Sequence, residues 1–397
     1  MSNYLIDGNT ISKSNPSFND VLITAYKKKQ RPTCLCKAPG IPMYIAKLGD
    51  HHVIKRMPNT GQHHHPDCDS FELASELSGR GEVNKKAIAE DSETGITKLN
   101  IDFSLSKKSS TTTGTKTEGK EQNSITSNPT KLTIRSVLHC LYEDAGLNKW
   151  SPRMMGKRNW FIIRKHLLDA AQNKVAKNNN LIDSLYIPET FNIEHKDAIT
   201  SRRRQFLSRL KYNKCKQPLG ILIGEIKKFE PTRFGHKIIV KHMPDMPLYM
   251  EEDVYRRILK HFSTELSIYN EYEDSHLITI CTFYLSASGN PQIDTISLMC
   301  TDENWLPFDT IEEKDLINRL VNDNRFFVRG LRYNLASSDV IASVLLTDIK
   351  DNPTALYMIP IEAEQSYYDA LSTVINDSEL NHCIWNLNEE DTFSIPT

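Results

Sequence analysis

The stretch RPTCLCKAPG, residues 31–40, carries Cys34 and Cys36 one residue apart, and HHHPDCDSF, residues 63–71, sets three histidines ahead of Cys68. No other feature restricts the fold so strongly. These donors can share one ion only if two distant segments fold back on one another. The intervening IPMYIAKLGDHHVIKRMPNTGQ reads as two short extended segments about a Gly-Asp turn, which would bring the second group to the first. Zinc takes four tetrahedral ligands drawn from thiolates and imidazoles. Cys34 and Cys36 would supply two and Cys68 a third, with His64 or His65 as the fourth. The plainer alternative is two buried cysteines beside a solvated histidine run. Four protein ligands leave no open position for water or substrate, so such a site would be structural, the staple of a module too small to hold itself together.

Eight cysteines occur in the 397 residues, and neither a basic start followed by an apolar leader nor a stretch of membrane-spanning length accompanies them. A reducing cytoplasm is the expected setting, where close Cys/His groups are metal ligands more often than disulfides. Cys140, Cys215, Cys281, Cys300 and Cys383 are scattered through apolar patterns and read as small core residues.

The order of patterns along the chain predicts a mixed α+β protein in several parts. Residues 1–105 form a small β-rich module holding the Cys/His site. Residues 106–131 are rich in Ser, Thr and Gly and almost free of apolar side chains, so they read as a flexible linker. Residues 132–215 form a basic helical unit. Ile134, Val137, Leu138 and Leu141 fall at helical spacing before Gly146, and a second helix lines up Trp160, Ile163, Leu167 and Ala170. Two short helices of this kind are compatible with a helix-turn-helix or with an ordinary helical hairpin. Residues 216–397 form a mixed α/β domain. Hairpins are expected about EPTRFG and ASGNPQ, with one long helix through Val254, Ile258, Phe262 and Leu266 between them.

The net charge of -1 gives no whole-chain hint of a polyanionic partner, but its distribution is uneven. Residues 149–177 hold eight Lys/Arg against one acid, and residues 201–242 hold twelve against Glu225 and Glu230. Residues 361–397 hold eight Asp/Glu and no basic residue. A basic face built from Arg158, Arg164, Lys165, Arg202, Arg203, Arg204 and Arg209 would neutralise DNA phosphates without reading sequence. Neither a Gly-rich phosphate loop nor a dinucleotide fingerprint nor a Gly-x-Ser-x-Gly elbow is present.

The phrases RPTCLCKAPGIPMYIAKLGDHHVIKRMPNTGQHHHPDC, LYEDAGLNKWSPRMMGKRNW and GILIGEIKKF followed by GHKIIVKHMPDMPL resemble the bacterial domain of unknown function 1173. The resemblance runs over nearly the whole chain. It implies a setting on integrative and conjugative elements and plasmids, with partners among conjugation proteins, and it favours His64 over His65 as the ligand beside Cys34, Cys36 and Cys68. A fainter similarity links residues 326–360 to degenerate PD-(D/E)XK nuclease-like, restriction-endonuclease-like domains. That similarity would put Ser343 and Tyr357 where the metal-holding carboxylates belong, so it implies lost catalysis. Three functions are therefore in play. The leading one is a non-catalytic, zinc-containing DNA-binding or DNA-processing accessory factor. The others are a metal-dependent nuclease acting through Glu225, Asp294 and Asp348, and a protein–protein adaptor that uses the acidic tail.

Overall fold

Alternating burial along the first strands sets one sheet face against a core. The computed structural model describes residues 3–48, 51–74, 77–84, 86–108, 129–212, 216–349, 353–378, 380–389 and 393–396. Asn3–Ile6 (β1) and Asn9–Ser12 (β2) make a hairpin, and Phe18–Lys27 (α1) turns Leu22 and Ala25 inward. Thr33–Cys34 (β3), Ile41–Leu48 (β4) and His51–Arg56 (β5) complete an antiparallel sheet ordered β2-β1-β3-β4-β5. Gly40 closes the β3–β4 turn at φ 107°, where a Cβ would lie 2.6 Å from the Thr33 methyl group, so only glycine fits. The expected fold-back between the two Cys/His segments is this β4–β5 hairpin, although its Gly49–Asp50 turn lies outside the described residues.

The chain divides into two units that are not consecutive. Residues 1–100, 172–178 and 326–397 form the first, and residues 101–171 and 179–325 the second. The boundaries expected at 105, 131 and 215 do not separate them, and the Cys/His module is not a domain of its own. The reason lies in burial. Residues 327–359 include strands apolar at nearly every position, and these need a cover that the N-terminal sheet provides. Most of the linker predicted over 106–131, residues 109–128, lies outside the described residues, as does Cys215.

In the second unit, Ser106–Lys108 (β6) pairs with a later strand, so the start of the predicted linker is ordered. Ile134–Asp144 (α2) is capped by the Thr133 side chain, which accepts from Ser136 N–H, and buries Ile134, Val137, Leu138 and Leu141. Trp160–Ala171 (α3) buries Trp160, Ile163, Leu167 and Ala171. Lys196–Ser208 (α4) follows, and then Lys216–Pro218 (β7), the partner of β6.

The rest of this unit is built on five long strands: Gly220–Thr232 (β8), Gly235–Val240 (β9), Met243–Met250 (β10), His276–Leu285 (β11) and Pro291–Thr301 (β12). The first half of β8 pairs with β11, from Gly220↔Phe283 to Glu225↔Ile278. A register shift between Ile226 and Lys228 bends the strand, and its second half pairs with β9. β9 pairs with β10, β10 meets β12 in parallel at Tyr249↔Gln292, and β12 pairs with β11. The ring is closed, in the order β8-β9-β10-β12-β11 and back to β8.

The connection from β10 to β11 is helical, but the single long helix expected there is two. Glu252–His261 (α5) ends where Phe262 leaves helical dihedrals (φ -125°, ψ 31°), and Ser263–Glu271 (α6) restarts. Ile311–Asn322 (α7), capped by Thr310, closes the unit.

The chain then returns to the first unit with Phe327–Arg329 (β13), Val344–Leu346 (β14), Thr354–Ile359 (β15), Gln365–Asp377 (α8) and Asn381–Asn386 (β16). β13, β14 and β15 are antiparallel neighbours, and α8 carries the chain across to the parallel β16. Every residue of β15 is buried. Leu345, Ala355, Tyr357 and Leu371 share one core with Tyr4, Ile6, Leu22, Cys34, Met43 and Cys68. The fold is mixed α+β. Among the described residues no helix is long and apolar enough to cross a membrane.

Candidate metal centre

Cys34 sits in the middle of the N-terminal sheet, opposite Tyr4 on β1 and Ile41 on β4. Cys36 follows two residues later, at the start of the turn that Gly40 closes. On the returning chain a short helical turn, Gly61–His63, delivers His64 in extended conformation (φ -69°, ψ 159°). A turn closed by Cys68 N–H donating to the His65 carbonyl (2.8 Å) then places Cys68.

The ligand atoms of Cys34, Cys36, His64 and Cys68 all lie within 4.8 Å of one another, and the group can hold a metal ion. Cys34 Sγ is 3.7 Å from Cys68 Sγ, and His64 Nδ1 is 3.3 Å from Cys36 Sγ and 3.6 Å from Cys68 Sγ. A tetrahedral ion with ~2.3 Å bonds to sulfur and ~2.0–2.1 Å bonds to nitrogen has S–S edges of ~3.8 Å and S–N edges of ~3.5 Å. The three separations fall near those edges.

Between the two histidines left open by spacing, the geometry selects His64, which is 1% exposed and presents Nδ1. His65 is about half exposed, with Nδ1 facing Asp67 at 3.8 Å. It serves the site through its backbone, whose N–H donates to Cys36 Sγ at 3.4 Å. Burial pushes the Cys34 and Cys68 thiols up. Unliganded they therefore stay protonated, and capture of a cation expels those protons. Cys34 and Cys68 also belong to the core that holds β14 and β15, so an ion here would brace the whole unit.

The predicted DNA-contacting residues do not form one face. Arg158 is turned inward: its guanidinium donates to the carbonyls of Leu147 (3.0 Å), Asn304 (3.2 Å), Lys149 (2.5 Å) and Gly146 (3.4 Å). Arg164 is half-buried and its Nε donates to the Ile187 carbonyl at 3.0 Å. Arg203 is 6% exposed and bidentate to Asp245, with the nearer oxygen in very short contact. These three are structural cations, whose long stems pack while their donors meet backbone carbonyls or, for Arg203, the exposed carboxylate of Asp245. Lys165, Arg202, Arg204 and Arg209 remain at the surface, and Arg202 makes a bidentate pair with Glu189 at 2.8 and 2.6 Å. Of the three predicted contacts on or just before α3, Lys165 is exposed, whereas Arg158 and Arg164 donate to backbone carbonyls.

The three carboxylates of the nuclease alternative are dispersed. Glu225 is level with Ile278 of β11, whereas Asp294 lies beside the Phe283 end of that strand, roughly 15 Å away at 3.4 Å per residue. Asp294 pairs with Lys107 at 2.6 Å. Asp348 accepts from the Phe326 N–H at 2.9 Å. Ser343 and Tyr357 are 4% and 1% exposed, a hydroxyl just before β14 and a phenol within β15. Among the described residues only the Cys/His group gathers three or more metal donors.

One polar cluster escaped the sequence reading. Glu225, one carboxylate of the nuclease alternative, is 4% exposed and accepts from Lys241 Nζ (2.8 Å) and His276 Nδ1 (2.7 Å). These contacts hold its carboxyl below the usual range despite burial. The His276 ring stacks on Trp305 at 4.0 Å, and Trp305 itself has φ 63°. Separations of 16 and 51 residues leave no spacing signal, and only the ring of strands brings the three groups together.

Trp305's turn is held by Asp302, whose Oδ1 accepts from the N–H groups of Asn304 (3.0 Å) and Leu306 (2.7 Å). Burial pushes this carboxyl from 3.8 up to about 6, although the Arg158 charge opposes the shift. A raised folded-state value means that folding favours the protonated acid. The stabilisation it gives is full below pH ~3.8 and is lost as pH rises through about 6. Asp302→Asn keeps the Oδ1 acceptor, so its unfolding midpoint should run flatter than the parent's between pH 4 and 6. A parallel pair of midpoint curves would refute this.

Searches of curated proteins and of solved structures each returned no match. A family model does match, over residues 4–388, which is nearly the whole chain and includes all four metal-site residues. The chain therefore belongs to the family described as protein of unknown function (DUF1173).

Proposed function

We propose that this chain is a non-catalytic nucleic-acid-binding factor with a structural zinc ion in its Cys34, Cys36, His64 and Cys68 site. Three thiolates and one imidazole are a donor set that selects zinc over hard cations, and four protein ligands leave no open coordination position for chemistry. Zinc bound there would organise the β3–β4 turn and the His64–Cys68 segment and stiffen the core behind them. The setting that goes with this reading is the cytoplasm of a cell carrying a conjugative element.

The observation that carries the nucleic-acid reading is the ring β8-β9-β10-β12-β11, with a parallel third–fifth contact and helices between its third and fourth strands. That order is the one used by small Greek-key barrels that bind oligonucleotides and oligosaccharides. A fold alone does not fix a function. The exposed Arg204, Arg209 and Lys165 add a sequence-independent attraction to phosphate.

A salt titration of binding to random-sequence DNA and RNA tests the reading. Affinity should fall steeply between about 50 and 200 mM salt with little dependence on sequence. Absence of any binding at the lower salt would refute it. The same preparation, incubated with linear, nicked and single-stranded DNA in Mg²⁺ or Mn²⁺, should leave the DNA intact, because Ser343 and Tyr357 offer no carboxylate to a divalent ion. Cleavage abolished by Asp348→Ala would restore the nuclease alternative.

A further inference from the structure

From the outward side of the barrel we infer that this chain binds single-stranded nucleic acid across β9, β10, β12 and β11, stacking bases on Tyr249, Tyr284 and Phe234. The inference rests on the nucleic-acid reading above and gives it a surface and a strand preference.

The register fixes which side chains share the face. Lys237 on β9 is opposite Tyr249 on β10, Tyr249 is opposite Gln292 on β12, and Gln292 is opposite Tyr284 on β11. Each lies beside buried neighbours in its own strand, Leu248 and Met250, Pro291 and Ile293, or Phe283, so the row points away from the barrel interior. The result is one line across four strands: an ammonium, a phenol ring, an amide and a second phenol ring. Lys107 lies 4.1 Å above the centre of the Tyr284 ring and adds a cation at that end.

Two loops open at the same edge. Gly235 approaches Met250 so closely that a Cβ would sit 2.4 Å from its carbonyl oxygen, which brings the tip of the β8–β9 loop against the end of β10. That tip is Arg233–Phe234, with Phe234 81% exposed and the guanidinium 5.1 Å from its ring centre. The β11–β12 loop, exposed over 287–290, joins β12 just before Gln292. An apolar ring left this bare in water gains by covering, and a π-face with a cation beside it suits a base with its phosphate.

Carboxylates are part of the face as well. Glu230 pairs with Lys237 at 3.0 Å and closely with Lys228, and Asp294 pairs with Lys107 at 2.6 Å. All five groups are at least a quarter exposed, so these pairs are weak and a phosphate can displace them. Lys107, Lys228, Arg233 and Lys237 stand against Glu230 and Asp294, with Glu251 and Glu252 next to the loop tip, where Glu252 pairs with His236 at 3.2 Å. Stacking decides the strand preference: bases in a duplex already stack on one another and offer no open face to Tyr249, Tyr284 or Phe234, whereas a single strand does.

Fluorescence anisotropy of the full chain with labelled oligo-dT, oligo-rU and a duplex of equal length tests the proposal. Single strands should bind at least about tenfold tighter than duplex at the same salt. Phe234→Ala, which touches no core, should weaken single-strand binding about tenfold or more with its unfolding midpoint unchanged, and Tyr249→Ala should weaken it as much while also losing a half-buried ring. Tyr249→Phe, which keeps the ring, should bind as the parent does and so separates stacking from a folding defect. Duplex bound as tightly as single strands, with the aromatic variants unaffected, overturns this face while leaving nucleic-acid binding in place. No binding of any nucleic acid overturns both readings. Tighter binding of rU than dT, or the reverse, with the same sensitivity to Phe234→Ala, upholds the face and identifies which strand it takes.

Discussion

Cys36→Ser will empty the metal site and lower the stability of the entire first unit by about 4 kcal/mol or more, the range reached when a structural metal is lost. Cys36 is the variant of choice because it is partly exposed, whereas truncation of the fully buried Cys34 would add the cost of a cavity. A serine hydroxyl brings no negative charge to the ion, and the three remaining donors do not close a tetrahedron. The effect will not stop at residues 31–75. Cys34 and Cys68 share their core with Leu345, Ala355, Tyr357 and Leu371, so amides of β14 and β15 should exchange faster too. Elemental analysis should give one zinc per parent chain and none in the variant. Unchanged exchange in β15 alongside lost metal would disprove the coupling. His65→Ala is the matched control: it removes an exposed imidazole and keeps the backbone N–H that Cys36 Sγ accepts. Its zinc content should equal the parent's.

Charge reversal at two adjacent arginines of α4 should give opposite results. Arg203→Glu puts a carboxylate into a site that is 6% exposed and faces the exposed Asp245, so a half-buried ion pair becomes a like-charge contact with its Glu side buried. The expected loss is about 2–3 kcal/mol in the second unit, mostly the cost of burying the new carboxylate, read as a shifted denaturation midpoint. Arg204→Glu, on the exposed side of the same helix, should change stability by no more than about 0.5 kcal/mol. Its signature is instead a salt dependence of nucleic-acid binding shallower by about one counterion. An Arg203→Glu chain as stable as the parent would mean that the Asp245 pair contributes nothing.

The contrast between these neighbours shows where sequence reading stops. Periodicity located α2 and α3 because the residues that bury are apolar, and apolar spacing is visible in one dimension. The Cys/His group was legible because few residue types bind soft cations and they were grouped. Arginine defeats this logic. Arg158 and Arg203 were read as surface from their charge, yet their stems pack and their donors meet carbonyls or Asp245 from segments remote in sequence. Glu225 likewise finds Lys241 and His276 only through the register of β8 with β11 and the β9–β10 turn. The barrel's closure, a single bridge at Tyr249↔Gln292, follows from long-range pairing that no local pattern announces. Even the break at Phe262 lies inside an unbroken helical apolar stripe.

The split first unit also sets a clock. Its N-terminal sheet leaves the ribosome more than 200 residues ahead of β13, β14 and β15, the strands that cover its apolar face. At the usual pace of synthesis that interval is roughly 10–45 s, far longer than a hairpin needs to form. For all of it Tyr4, Ile6, Leu22 and Met43 lack their C-terminal partners Leu345, Ala355, Tyr357 and Leu371, while the second unit is made and can fold in between. Cys34, Cys36, His64 and Cys68, by contrast, lie close together in sequence and all precede the second unit. An ion bound there would tie Cys34 and Cys36 to the His64–Cys68 segment before β13, β14 and β15 exist, so zinc supplied during translation should raise the yield of folded protein more than zinc added afterwards.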